Sequence, residues 1–160
     1  MVAALWACSA SAAPKVAVFP FDLRDAGQEG ELVPQLNPED LRRVKLVADE
    51  LRSLMQKDGR YEIVDLTPLA GEIEQAAPFN NCNGCEADLA GKAGAELAVT
   101  GLVNKFSDAL ISLQLYVRDV KSGEMKKTMS AAVQGNTDEL WLHGLHWLWK
   151  NRFNAEEKKN

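Results

Sequence analysis

Histidine is scarce in this chain, with two residues in 160, and cysteine numbers three. That is too few for a disulfide-stapled scaffold, and the chain is long enough to bury a core without staples. There is no Gly-x-Ser-x-Gly, no Walker loop and no Rossmann glycine fingerprint, so nucleophile-elbow hydrolysis, P-loop phosphate chemistry and dinucleotide binding find no support. Beside His143-x-x-His146 no second His pair stands at zinc-like spacing, and although Cys82 and Cys85 would complete four ligands of zinc type, a disulfide between them would destroy that site. No segment approaches the ~20 apolar residues of a membrane span. Basic clusters are missing too: Lys and Arg number 18 against 23 Asp and Glu, for a net charge of −5, and they are scattered apart from short runs such as Arg42-Arg43 and Lys126-Lys127. Nucleic acid is therefore not an expected partner, because phosphate binding needs clustered cations. No internal repeat or low-complexity segment is visible.

What is present is an ordinary globular composition, 46% hydrophobic and 26% charged, at the length of one domain. Residues 1–12 are apolar and small-sided, like the remnant of a secretory signal peptide, and Ala10-Ser11-Ala12 fits an A-x-A cleavage pattern. The expectation is a periplasmic, secreted protein with a single α/β domain over 13–154 and a polar tail over 155–160. The alternative start is a lipoprotein acylated at Cys8. Leu5-Trp6-Ala7-Cys8 is a poor match, because Trp6 sits where a small or branched residue belongs, so no lipid anchor at Cys8 is expected.

Val16-Ala17-Val18-Phe19 reads as a buried strand closed or bulged by Pro20. Residues 22–37, with Asp22, Asp25, Glu29 and Glu31, read as an acidic loop. Asn37-Pro38-Glu39-Asp40 predicts a helix start, followed by a stripe of Leu41, Val44, Val47, Ala48, Leu51, Leu54 and Met55 and a stop at Asp58-Gly59. Tyr61 to Leu66 predicts a strand, Thr67 to Ala77 a short helix, and Cys85 to Ala93 another. Leu97 to Val103 is apolar on both faces, as in a central strand. Ile111, Leu113, Leu115 and Val117 alternate with polar residues, and Lys121-Ser122-Gly123-Glu124 turns the chain into a partner strand from Met125 to Val133. Asn136-Thr137-Asp138-Glu139 reads as a capping box with Asn136 as the cap, opening a helix to about Arg152. The order β-α-β-α-α-β-β-β-α predicts an α/β (α+β) layered sandwich around a mixed sheet of about five strands.

Four residue groups are candidates for function. Cys82 and Cys85 are expected to pair as a disulfide in an oxidising compartment, with thiol-disulfide redox activity or metal handling as alternatives. Covalent haem would need His where Glu86 stands, and a thioredoxin-like motif would follow a strand. His143 and His146 share a helical row with Glu139, a weak metal candidate against the reading that they are solvated. On that helix Trp141 and Trp149 read as core, while Trp147, beside the polar row, is a candidate contact residue. Asp22, Asp25, Glu29 and Glu31 follow the first strand, where α/β sheets place ligand sites; their spacing matches no calcium loop, and Asp22, Asp25 and Glu29 are, with Trp147, the expected contact surface for a protein partner.

Val16-Ala17-Val18-Phe19-Pro20-Phe21, Gly59-Arg60-Tyr61-Glu62-Ile63-Val64-Asp65, Gly94-Ala95-Glu96-Leu97-Ala98-Val99-Thr100-Gly101 and Val117 to Glu124 occur in that order. This series resembles the α/β domain at the N-terminus of TolB and the related domain of the curli secretion lipoprotein, which are periplasmic interaction or assembly modules. Cys82 to Asp88, Gly135 to Glu139 and Asn151-Arg152 are similar to a family of small secreted bacterial proteins of unknown function, often encoded near PQQ-dependent quinoprotein alcohol dehydrogenases. The resemblance implies a non-enzymatic periplasmic protein with a protein partner, serving a quinoprotein dehydrogenase system, and no cofactor of its own. A carrier for a small cofactor such as PQQ is a further reading, one that needs a basic pocket.

Overall fold

The structure is a computed structural model that describes residues 12–28 and 35–155. Glu29, Glu31, Cys8, the cleavage pattern before Ala12 and the tail beyond residue 155 lie outside the described residues.

Six strands form one mixed sheet: β1 (Lys15–Val18), β2 (Asp22–Asp25), β3 (Glu62–Ile63), β4 (Leu97–Ser107), β5 (Leu110–Asp119) and β6 (Met125–Val133). Among the described residues the α-helices are α1 (Pro38–Asp58), α2 (Ala70–Ala76), α3 (Cys85–Lys92) and α4 (Asp138–Leu148). The order across the sheet is β3-β1-β4-β5-β6, with β2 also paired to β4. β1, β2 and β3 run parallel to their partners, whereas β4, β5 and β6 are antiparallel. This is the expected α/β layered architecture, with one strand more than the sequence suggested.

The extra strand corrects the acidic-loop expectation. Pro20 has no N–H and interrupts the ladder, but the chain resumes as β2, placing Asp22 opposite Leu102 and Asp25 opposite Lys105. β1 and β2 thus lie end to end along β4. The strand expected over Tyr61–Leu66 is shorter than predicted, with a ladder of only Glu62 and Ile63 beside β1.

Alternation along β1 splits the core. Val16 and Val18 face α1 and α4, in a cluster with Leu51, Met55, Leu115, Trp141 and Leu148. Ala17 and Phe19 face the other way, against Ile73, Phe79, Leu89 and Ala90 from the α2–α3 side. Beyond that smaller core the same face carries Ser112, Gln114, Tyr116, Thr128 and Ser130, all half-buried or exposed. One face packed and one wet is the usual state of an antiparallel ladder.

α1 starts where predicted. Asn37 Oδ1 accepts the Glu39 N–H at 2.8 Å, Pro38 follows, and Gly59 closes the helix in the left-handed region at φ 77°. Leu41, however, is 46% exposed, and the first buried residue of the helix is Asp40, at 1%. Asp40 Oδ2 accepts from Lys105 Nζ at 2.6 Å, and its Oδ1 accepts from Arg43 at 3.0 Å and from Asn136 Nδ2 at 2.9 Å. Burial alone would raise this carboxyl; the bonds from Lys105, Asn136 and Arg43 outweigh it and hold it below the ordinary carboxylate range. The hub ties α1 to the far end of β4 and to the entry of α4.

Asn136 is therefore not the cap of α4. Thr137 is: its side chain accepts from the Leu140 N–H. Asn136 is occupied instead by Asp40, by Asp108 at 3.1 Å and by the indole N–H of Trp141 at 3.0 Å. The α-helix ends at Leu148 and continues as a π-helical turn over Trp149–Phe153, which buries Phe153 against Tyr61 and Trp149.

Candidate functional site

The carboxyl ends of β1 and β3 open into a cleft of about 750 Å³ between α1 and α2, a size typical of ligand sites. Each wall follows from local sequence. Pro20 breaks the first strand, so Phe21 leaves it toward the α1 side, where its ring lies over Gly101: a Cβ there would stand 2.5 Å from the ring. Val18, Ile63, Val64 and Leu66 line the strand ends. Ile73 comes from α2, and Phe79 from the 3-10 turn Phe79–Asn81, whose ring packs on Phe19 with centroids 4.8 Å apart.

Four charged groups line this apolar cleft: Asp22, Asp65, Glu74 and Arg52. Arg52 is already engaged. Its Nε and Nη2 donate to the Val18 carbonyl, at 3.3 and 2.9 Å, and its Nη1 to Asp49 at 2.7 Å. Asp65 Oδ1 accepts the Thr67 N–H at 2.9 Å, fixing the turn into α2. Asp22 Oδ2 accepts the Asn80 N–H at 3.0 Å, and among the described residues no cation pairs with it. Burial pushes its carboxyl above the ordinary carboxylate range, against the pull of the Asn80 and Phe79 backbone amides.

Of the acidic candidates, Asp22 lies in the cleft and Asp25 does not. Three residues apart on a strand, they take opposite faces, and Asp25 Oδ1 accepts the Gly27 N–H at 2.9 Å in the next turn.

Cys82 and Cys85 sit at disulfide distance, with S–S 2.02 Å. They bracket the turn that ends the Phe79–Asn81 segment and begins α3, so the clip stands directly behind one wall of the cleft. Glu86, 5% exposed, is held by Arg118 Nε at 2.6 Å, and Arg118 Nη1 also donates to the Gly123 carbonyl at 2.6 Å. The Glu86 carboxylate lies 3.4 Å from Cys82 Sγ, a neighbour that opposes thiolate formation rather than assisting it. Cys82, Cys85 and Glu86 form the one group of three metal-ligand types gathered within 4.8 Å among the described residues. With the sulfurs bonded to each other and Glu86 bound to Arg118, its donors are spent.

His143, His146 and Glu139 form no such group. His146 Nε2 lies 2.8 Å from Glu50 Oε1 on α1, and His143 and Glu139 are exposed. Trp147 projects from the same side of α4 at 42% exposure, with the Arg152 guanidinium 5.5 Å from its ring centroid. Trp141, at 2%, is core. Arg52, Phe21, Ile73 and Phe79 escaped the sequence reading as site residues. The signal that could have found them is the Pro20 break beside Phe21, which frees an aromatic at the end of a parallel strand.

A protein-family model, DUF3280, described as "Protein of unknown function (DUF2380)", matches residues 14–153. The chain belongs to the DUF3280 family. No curated protein matches it. Solved structures with the same fold include lipoprotein GNA1162 from Neisseria meningitidis, 14% identical at TM-score 0.58, covering 88% of this chain and 96% of that one. The LpoB C-terminal domain from Escherichia coli is 18% identical at TM-score 0.55, covering 81% and 89%. TolB from Acinetobacter baumannii is 16% identical at TM-score 0.55, covering 91% of this chain and 29% of that one. At these identities the likeness is one of fold, and it agrees with the TolB-like α/β domain expected from the strand motifs. No described helix of this DUF3280 member is long and apolar enough to cross a membrane.

Proposed function

We propose that this DUF3280 protein is a non-enzymatic periplasmic module, exported by its N-terminal signal, that acts by binding another protein. The observation that carries this reading is the open apolar cleft at the strand ends, walled by Phe21, Ile73 and Phe79. Trp147 supplies a second contact surface, since a large exposed aromatic on a helix whose other face is buried is a favourable anchor. The likeness in fold to lipoprotein GNA1162 and to TolB supports the compartment. The neighbourhood with quinoprotein dehydrogenases, implied by the family resemblance, makes such an enzyme system the first place to seek the partner. A carrier of a carboxylate-rich cofactor is less well supported, because the cleft's acids outnumber its one engaged arginine.

Photo-crosslinkers placed at Trp147 and at Glu74 on the cleft rim, in cells exporting the protein, test this. The expected result is a discrete protein adduct from one or both sites and none from Lys45 on the solvent side of α1. Trp147→Ala should weaken capture by about tenfold, the loss of one interface anchor, with thermal stability unchanged. Capture that is indifferent both to Trp147→Ala and to crosslinker position would overturn the interaction reading.

A further inference from the structure

We propose that the cleft receives an extended segment of the partner protein, in which a bulky apolar side chain enters between Phe21 and Phe79 and an adjacent lysine or arginine meets Asp22. The inference rests on the reading of this protein as an interaction module and names what the module takes.

Three features converge on that chemistry. The walls are apolar and aromatic, so they reward burial of a large hydrophobic group. The charge is of one sign once internal bonds are counted: Arg52 is spent on Val18 and Asp49, while Asp22, Asp65 and Glu74 line the same cleft. Asp22 carries the strongest demand, half-buried, anchored through one oxygen by Asn80 and unpaired with any cation among the described residues. A cation placed beside it would offset its desolvation, whereas an anion there would be repelled. A polypeptide fits better than a free small amine because β3 is the outermost strand on this side of the sheet. Past Ile63, the Val64 N–H still bonds inward to the Val16 carbonyl at 3.0 Å, so the chain continues extended along the cleft, and among the described residues no further strand pairs with the outer edge of β3. An extended segment can pair with such an edge while its alternate side chains enter pockets.

The test uses the mature protein and two capped peptides, acetyl-Leu-Phe-Lys-Val-amide and acetyl-Leu-Phe-Glu-Val-amide. Binding is followed by calorimetry and by amide shifts in NMR spectra. The lysine peptide should bind at least about tenfold more tightly than the glutamate peptide, with shifts centred on Val64, Thr67 and Asn80. Asp22→Asn should reduce that preference to less than about threefold while leaving the melting temperature in place. The wild-type preference is itself decisive, so the proposal stands or falls even if the variant folds poorly. Equal affinity for the two peptides, shifts centred away from the cleft, or no binding of either up to about 1 mM would overturn it. Phenethylamine binding as tightly as the lysine peptide would overturn the polypeptide occupant. If the peptides show no preference while crosslinks still form from Trp147, this inference falls and the broader interaction reading survives.

Discussion

Asp40→Ala is expected to destabilise the protein by about 1.5–3 kcal/mol, the worth of the charged hydrogen bonds it removes, and not the larger cost of a stranded buried charge, because Lys105 keeps Asp108 at 2.8 Å and Arg43 keeps Asp138 at 2.9 Å. Lys105, 11% exposed, would lose its 2.6 Å partner; Asn136 and Arg43 would each lose a bond. For a domain of this size each kcal/mol is worth about 2–4 °C, so the melting temperature should drop by roughly 5–10 °C in calorimetry. The same hub sets a pH signature. The folded carboxyl of Asp40 lies below its ordinary range, so its contribution is fully present above the unfolded value near ~4 and is lost as pH falls through the folded value. Asp40→Asn should flatten that acid limb. A loss below about 1 kcal/mol from Asp40→Ala would mean that water replaces the carboxylate without penalty, and the hub would not be what holds α1 to β4 and α4.

Gly101→Ala is expected to cost about 1–3 kcal/mol, the usual range for overpacking, and to close the cleft. The new Cβ would stand 2.5–2.6 Å from three ring atoms of Phe21. Gly101 pairs with Leu115 of β5 and on its other side faces the break between β1 and β2, so the Phe21 ring is the group the new methyl meets and the one that must move. Its free direction is into the cleft it lines, so peptide affinity should fall together with stability. Combining Gly101→Ala with Phe21→Leu tests the cause: the double variant should be less destabilised than the sum of the two single variants, because the smaller side chain relieves the contact. Additive losses would show that the clash is absorbed elsewhere and that Phe21 does not depend on a bare Gly101.

Several elements were readable from local chemistry. Asn37-Pro38 and Gly59 bracket α1 because capping and left-handed backbone are properties of those residues. The Ile111–Val117 alternation and the turn at Lys121–Glu124 specify the β5–β6 hairpin through a period of two, and Val16–Phe19 and Leu97–Val103 specify buried strands through their continuous apolar runs. Trp147 was separable from Trp141 and Trp149 by helical phase. The errors have one physical origin. Asp22 to Asp25 are too polar to read as a strand, yet β4 offers them a ladder and they take it. Leu41 fits the apolar stripe, yet the buried position belongs to Asp40, because Lys105, 65 residues away, satisfies its charge. Asn136 is an excellent cap in isolation, but Asp40, Asp108 and the Trp141 indole claim its side chain and leave the capping to Thr137.

The α/β class, and the helices and strands other than β2, therefore follow from the residues in sequence, because each depends on neighbours a few positions apart. The cleft, the isolation of Asp22 within it, the spending of Arg52 and the polar hub at Asp40 were decided by the tertiary structure alone. Each joins groups separated by tens of residues, and whether a carboxylate is buried, paired or left waiting for a cation depends on what the fold brings beside it rather than on what precedes it in the chain.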